Sequence, residues 1–252
     1  MSRRVILVTG GTGKLGKLFT SHFLSKGDIV VATGRSESSL DGLREFVSYN
    51  ENLKTVIVDF EESQSVKNLV VWLKNEDLMP EGLINNARSL DSLEIGDKGV
   101  ISRENFLKEY LIDVVAPYEL TMELVHSPES KLKNVVNIGS QYGVVAANPV
   151  LYTEPLKQSA IHYGVAKAAL GHLTKELSVR LADSGVKVNC IAYGGIEGRV
   201  DEDFKKRYAA LCPLGRMLTE EEVSGPMDYL MSPSSSGMTG QIVSVDGGWS
   251  VW

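Results

Sequence analysis

At 252 residues, with 43% hydrophobic and 23% charged side chains, the chain has enough apolar material for one α/β domain around a single core. A net charge of −6 with scattered basic residues argues against a nucleic-acid partner. No apolar stretch approaches the roughly 20 residues that a bilayer crossing needs, which argues against a membrane partner. Two cysteines, Cys190 and Cys212, are too few for a disulfide framework and read as reduced packing residues. Arg3-Arg4 leads straight into the first apolar run, which leaves no room for a signal peptide. The expected setting is therefore the cytoplasm, and no metal site is expected.

The first predicted element is a strand, Val5-Ile6-Leu7-Val8, apolar and β-branched. Thr9-Gly10-Gly11-Thr12-Gly13-Lys14-Leu15-Gly16 follows at once, and then Leu18, Phe19, Phe23 and Leu24 recur at helical spacing. Strand, glycine-rich turn and helix in this order suit a dinucleotide. The glycines let the backbone approach a pyrophosphate, which then rests on the helix N-terminus. Gly10, Thr12, Gly13, Lys14, Leu15 and Gly16 are the cofactor candidates here. The alternative is a glycine turn without a ligand.

Further strands are predicted near residues 29–33, 55–58, 82–85, 133–139, 187–192 and 241–245, with amphipathic helical segments between them. That alternation predicts a Rossmann-type doubly wound parallel sheet of about seven strands, helices on both faces, in a single domain over 1–252. At the tip of the second strand, Ala32-Thr33-Gly34-Arg35-Ser36 carries no acid to meet ribose hydroxyls. Arg35 can clamp a 2′-phosphate and Ser36 can donate to it, which favours NADP over NAD. If Arg35 only stacks on adenine, either cofactor would serve.

Tyr163 and Lys167 lie four residues apart, one helical turn, and so share a face. A cation about 4 Å from the phenol, at an effective dielectric near 20, favours phenolate by about 4 kcal/mol. That would ready the phenol for acid–base work near neutral pH. Ser140 ends the apolar run Val135-Val136-Asn137-Ile138-Gly139 and could hydrogen-bond a reacting carbonyl oxygen. Such a Tyr/Lys pair also arises by chance on amphipathic helices; the glycine turn upstream is what raises its weight.

Taken together, these residues resemble the short-chain dehydrogenase/reductase family, over essentially the whole chain. Asn85-Asn86-Ala87 follows Leu83-Ile84 as in the family's fourth strand, and Ser140 ends its fifth. Tyr163 and Lys167 form its Y-x-x-x-K, and Val188-Asn189-Cys190-Ile191-Ala192 looks like its sixth strand. Thr239-Gly240-Gln241 through Val245-Asp246-Gly247-Gly248 resembles its C-terminal signature.

The resemblance implies hydride transfer between a nicotinamide cofactor and a carbonyl or secondary alcohol. It casts Ser140, Tyr163 and Lys167 as catalytic, and adds Asp59, Phe60, Asn86, Ala87, Gly194 and Ile196 to Tyr163 and Lys167 as cofactor contacts. It also implies a homodimer or homotetramer, and Ala166, Ala168, Ala169 and Gly171 would let another helix approach.

Several positions depart from the family. Asp113 stands where an asparagine usually completes the catalytic set by holding a water beside the lysine. Arg88 replaces a glycine and could meet an anionic substrate or lie on the surface. Tyr193 replaces a proline. Lys14 replaces a glycine and would touch a phosphate or point to solvent.

Ser140 and Tyr163 are 23 positions apart, an unusually long spacing for the family. The segment at about 142–162 holds two prolines and many polar groups, which predicts an ordered loop over the site, with a solvated surface insertion as the alternative. With Gly194-Gly195-Ile196, this loop is similar to the flagellin-modification dehydrogenases of surface-sugar pathways. A polar, sugar-like substrate is the corresponding expectation, with Lys157, Gln158 and Arg88 as contacts. The rival reading is a catalytically silent NADP-sensing regulatory or scaffold protein of the same fold.

Overall fold

A computed structural model describes residues 3–198 and 200–252. In chain order the first half contains β1 (Val5–Val8), α1 (Lys14–Ser25), β2 (Ile29–Gly34), α2 (Glu37–Phe46), β3 (Leu53–Ile57), α3 (Ser65–Asn75) and β4 (Gly82–Asn85). Then come α4 (Arg103–Tyr110), α5 (Ala116–His126), β5 (Asn134–Ser140), the one-turn α6 (Pro155–Gln158) and α7 (Ile161–Arg180). β6 (Lys187–Tyr193), α8 (Glu202–Leu211), α9 (Glu221–Leu230) and β7 (Ile242–Val245) complete it.

The strands form one parallel sheet in the order β3-β2-β1-β4-β5-β6-β7. Every predicted strand is present, with ends moved by no more than two residues. The order reverses beside β1: β2 lies on one side and β4 on the other. That switch point opens a crevice at the carboxyl ends of the strands, where ligands of such sheets bind.

Period-two alternation in the strands assigns side chains to two cores. Val5, Leu7, Val31, Leu83, Val135 and Val188 pack on one face with Leu69 and Leu73 of α3, Leu120 and Leu124 of α5, and Leu177 of α7. Ile6, Val8, Val30, Ile84, Val136 and Ile191 pack on the other with Phe19 and Phe23 of α1 and Val223, Met227 and Leu230 of α9. A third, smaller cluster of Leu151, Tyr208, Cys212, Met217 and Trp249 supports the segment beyond β6.

Two details concern α7 and the segment before it. α7 ends at Arg180, and residues 182–184 form a separate 3-10 turn closed by Gly185 in the left-handed region. The segment after Ser140 is built from short pieces, 3-10 turns at Gln141–Gly143 and Pro149–Leu151 followed by α6. Its backbone polar groups are thus largely closed locally.

Candidate active site

A cleft of about 630 Å³ runs along the carboxyl edge of the sheet. It is lined by Gly10, Thr12, Gly13, Lys14 and Leu15 at its middle, by Arg35, Ser36, Asp59 and Phe60 at one end, and by Ser140, Tyr163 and Lys167 at the other. Asn86, Ala87, Gly194 and Ile196 also face it. Of the catalytic and cofactor candidates, Gly16 and Asp113 do not line it and lie behind its wall.

Gly16 shows why the first turn must be thin. A Cβ there would lie 2.2 Å from the Gly10 carbonyl oxygen and 2.7 Å from Gly11 Cα, so α1 could not close onto the turn. Gly13 occupies the N-cap of α1, and no side chain caps the helix. The first N–H groups of a twelve-residue helix therefore open onto the cleft, with the positive end of its dipole. That cradle fits a pyrophosphate.

Asn86 holds this turn in place. Its Nδ2 donates to the Thr9 and Gly10 carbonyls, both at 3.0 Å, while its own N–H and that of Ala87 donate to Thr9 Oγ1 at 2.9 and 3.0 Å. Its side chain is thus spent on the glycine turn. Lys14, expected either on a phosphate or in solvent, lines the cleft, and its ammonium contacts the Glu197 carbonyl and lies 3.2 Å from Glu220 Oε1. It ties the start of α1 to the chain beyond β6.

At the adenosine end, Ser36 caps α2 by accepting from the Ser39 N–H, and Arg35 lies 3.3 Å from Asp91 on the surface. Asp59 accepts from the Glu61 N–H.

At the other end, Ser140 is buried at the tip of β5 and its Oγ accepts from the Tyr142 N–H at 3.2 Å. Its own proton stays free for a ligand. The turn that follows packs tightly on α7: a Cβ at Gly143 would lie 2.7 Å from the Lys167 backbone carbon. β5 and α7 are further joined by Asn137, which accepts from Asn85 of β4 at 2.8 Å and donates to Thr174 at 2.9 Å. The serine, the phenol and the lysine therefore ride on elements locked to one another.

Lys167 is 6% exposed. It donates to the Ile138 carbonyl at 3.0 Å, and its Nζ lies 3.0 Å from Asp113 Oδ2. The second contact is a close charge pair rather than an aligned hydrogen bond. Burial disfavours the ammonium, but the charge of Asp113, and then Tyr163, outweigh it and raise its pKa. Asp113 reaches inward because residues Leu111–Val115 form a π-turn between α4 and α5. The expected water-holding position is here a direct ionic partner.

Sequence reasoning missed Glu109. It sits one turn before Asp113, is 1% exposed, and accepts from Ser92 Oγ. Burial pushes its carboxyl up, and Asp113 pushes it further. The Ser92 carbonyl accepts from His162 Nε2 at 2.7 Å, so the chain after β4 is fastened to the start of α7. The signal for Glu109 was an acid at i−4 from Asp113 on an otherwise amphipathic helix, which reads as solvated until the fold is known.

Arg88 lies over the Tyr163 ring, with its guanidinium carbon 4.4 Å from the centroid. Lys167 Nζ is 5.8 Å from the same centroid. From the long segment after Ser140, Tyr152 enters the cleft wall and its hydroxyl pairs with that of Tyr142 at 2.8 Å. Burial raises the pKa of both phenols, so both stay protonated. Lys157 and Gln158 do not reach the cleft: Lys157 pairs with Glu154 at 3.2 Å, and Gln158 accepts from Thr153 and the Glu154 N–H, all on the exposed side. Tyr193 also lines the cleft, but its hydroxyl is engaged in the second core, donating to the Val223 carbonyl at 2.6 Å. Cys190 and Cys212 are free and buried, and burial pushes the Cys190 thiol up to about 11.

A doubly wound sheet with an open helix N-terminus at its switch point, and a serine, tyrosine and lysine at one end of the crevice, defines a nicotinamide-dinucleotide oxidoreductase of the single-sheet kind. Comparison with known proteins agrees. A family model described as enoyl-(acyl carrier protein) reductase matches residues 14–250. The chain belongs to the short-chain dehydrogenase/reductase family.

It is 24% identical to post-translational flagellin modification protein A of Campylobacter coli, over 99% of both chains. It is 26% identical to galactitol 2-dehydrogenase of Rhizobium johnstonii, over 98% of this chain and 95% of that one. A short-chain dehydrogenase from Leptospira borgpetersenii, solved with bound NAD+, superposes with a TM-score of 0.87 at 27% identity, covering 99% of this chain and 94% of the other. Among the described residues, no helix is long and apolar enough to cross a membrane and no cluster of side chains could hold a metal ion.

Proposed function

We propose that this oxidoreductase interconverts a carbonyl and a secondary alcohol on a polar, sugar-like substrate, with NADP preferred. The observation that carries the reading is the convergence of Ser140, Tyr163 and the Asp113-paired Lys167 at one end of a cleft whose middle is an uncapped helix N-terminus. When bound, the nicotinamide supplies or accepts the hydride. Ser140 Oγ–H holds the substrate oxygen. Tyr163 Oη gives that oxygen its proton in reduction and takes it back in oxidation. The Lys167 ammonium stabilises the phenolate left behind, and an N–H not used on Ile138 is available to a ribose hydroxyl. Asp113 keeps that ammonium charged inside the fold.

The NADP preference rests on Arg35, on Ser36 at the N-terminus of α2, and on Gly34 where an acid would otherwise repel a 2′-phosphate. The polar substrate rests on the hydroxyls of Tyr142 and Tyr152 and on Gln141 in the cleft wall. Assembly as a homodimer or homotetramer in the cytoplasm completes the reading. Leu107, Tyr118, Val165 and Val179 are apolar and exposed on α4, α5 and α7. A catalytically silent sensor would have no use for a free Ser140 proton beside Tyr163 and Lys167.

The test is incubation with NADPH and a panel of keto-sugars and simple ketones, followed by loss of absorbance at the reduced-nicotinamide band. Steady oxidation with at least one polar ketone is expected. Tight NADPH binding without oxidation across the panel would instead identify the sensor.

A further inference from the structure

We infer that the substrate carries an anionic oxygen group, a carboxylate or a phosphate, close to its reacting carbon, and that Arg88 reads it. The inference rests on the redox reading above and adds what the substrate must look like.

Arg88 begins the segment that leaves β4 directly after the Asn86 brace, and it lines the catalytic end of the cleft. Its backbone is held from both sides. Upstream, Asn86 and Ala87 are bonded to Thr9. Downstream, the Ser89 carbonyl accepts from Ser92 Oγ, which also meets Glu109, and the Ser92 carbonyl is bonded to His162. His162 immediately precedes Tyr163, so the segment bearing the guanidinium is fastened to the helix bearing the proton donor.

Among the described residues, Arg88 makes no salt bridge and no side-chain hydrogen bond. Of the basic residues lining the cleft, Lys14 is paired with Glu220, Arg35 with Asp91 and Lys167 with Asp113. Among these described cations Arg88 alone has no acid within salt-bridge distance. Its guanidinium carbon lies 4.4 Å from the centroid of the Tyr163 ring, a contact that leaves its N–H donors unused. Among the described residues the one carboxylate lining the cleft is Asp59, at the far end beside Arg35. The acid whose charge Arg88 does meet, Glu109, is buried behind the cleft wall and already accepts from Ser92, so the catalytic end presents a fork of donors with no carboxylate in the cleft beside it. Carboxylate and phosphate oxygens match that fork in pairs.

Distance sets where the anion must sit. The phenol oxygen is one ring radius and one bond from the centroid under Arg88. Fork and proton donor are thus neighbours on the scale of a substrate a few carbons long. The Tyr142 and Tyr152 hydroxyls lie in the same wall and offer further hydrogen bonds to such a group.

Binding tests this directly. Malonate, its neutral counterpart malonamide, and inorganic phosphate are each titrated into the enzyme–NADPH complex, read by reduced-nicotinamide fluorescence and by calorimetry. The wild-type complex is expected to bind malonate or phosphate at least tenfold tighter than malonamide, and the tighter of the two anions tells carboxylate from phosphate. Arg88→Gln should erase the preference, and Arg88→Lys should keep part of it, since it retains charge and loses the fork. The malonamide arm reads any loss that is not electrostatic. Equal affinity for malonate, phosphate and malonamide, or a preference that survives Arg88→Gln, overturns the inference. A complex that prefers the anions through Arg88 but oxidises NADPH with no ketone leaves this inference standing and sinks the redox reading instead.

Discussion

At the catalytic end of the cleft, Lys167 and Asp113 are buried, 3.0 Å apart, and carried by elements packed on one another. At the adenosine end, Arg35 and Asp91 are also a pair, at 3.3 Å, but their side chains are 52% and 68% exposed. The same two charges are worth different things in the two places. A buried pair that loses one partner leaves an uncompensated charge in low dielectric, whereas an exposed pair exchanges its partner for water at little cost. On the proposed reading, chemistry is built where rearrangement is expensive and cofactor choice where it is cheap.

The largest effect should come from breaking the buried pair. Lys167→Met leaves the buried Asp113 without its cation and should cost about 3–5 kcal/mol of stability, along with turnover. Urea unfolding of the variant checks the first, and a loss under about 1 kcal/mol would mean that the pair is not important to the fold.

Tyr163→Phe tests the same end without touching that pair. The ring stays under Arg88 and only the acid is lost, so turnover should fall by about 10² or more while NADPH affinity changes little. Near-normal turnover would sink the proton-transfer role.

The exposed end should respond more gently and in opposite directions. Arg35→Ala removes a charge-assisted hydrogen bond and should weaken NADPH by about 1.5–3 kcal/mol, with NADH nearly unchanged. Asp91→Asn frees Arg35 from a surface partner and should tighten NADPH by no more than about 1 kcal/mol. Titration of both cofactors decides; equal changes for NADH would show that Arg35 does not read the 2′-phosphate.

The smallest effect is a pH dependence at the buried end. The folded pKa of Glu109 lies above its unfolded value, chiefly through burial and then Asp113. The folded state therefore holds a proton that the unfolded state releases, and stability from this group falls as pH rises from the unfolded carboxylate pKa, about 4.3, up through the folded one. Glu109→Gln removes the titration and keeps an acceptor for Ser92. Its melting temperature relative to wild type should rise as pH increases above about 4.3; a difference independent of pH would show that Glu109 does not take up a proton on folding.

Much of this molecule was legible before it was folded. The strands announced themselves as short, mainly apolar runs, most clearly β1, which is buried throughout; the edge strands β3 and β7 are only partly buried and carry Lys54 and Ser244. The glycine turn was readable because only glycine permits the approach seen at Gly16. Ser140, Tyr163 and Lys167, which the fold brings to one cleft, stood out because their types and spacing suit the proposed proton transfer.

What tertiary structure alone decided are the partners. Asp113 looked like a weakened copy of an asparagine; a π-turn makes it the counter-ion of Lys167. Lys14 bridges to Glu197 and Glu220, positions more than 180 residues away in sequence. Glu109, which the sequence did not single out, is buried against Ser92. Lys157 and Gln158 looked like substrate contacts and bond to their own loop, while Tyr152 beside them turns inward. Local pattern determines backbone conformation and the apolar face, since both depend on near neighbours. Which charge meets which, and which side chain of an irregular segment faces the cleft, depends on contacts made only when distant elements close on one another.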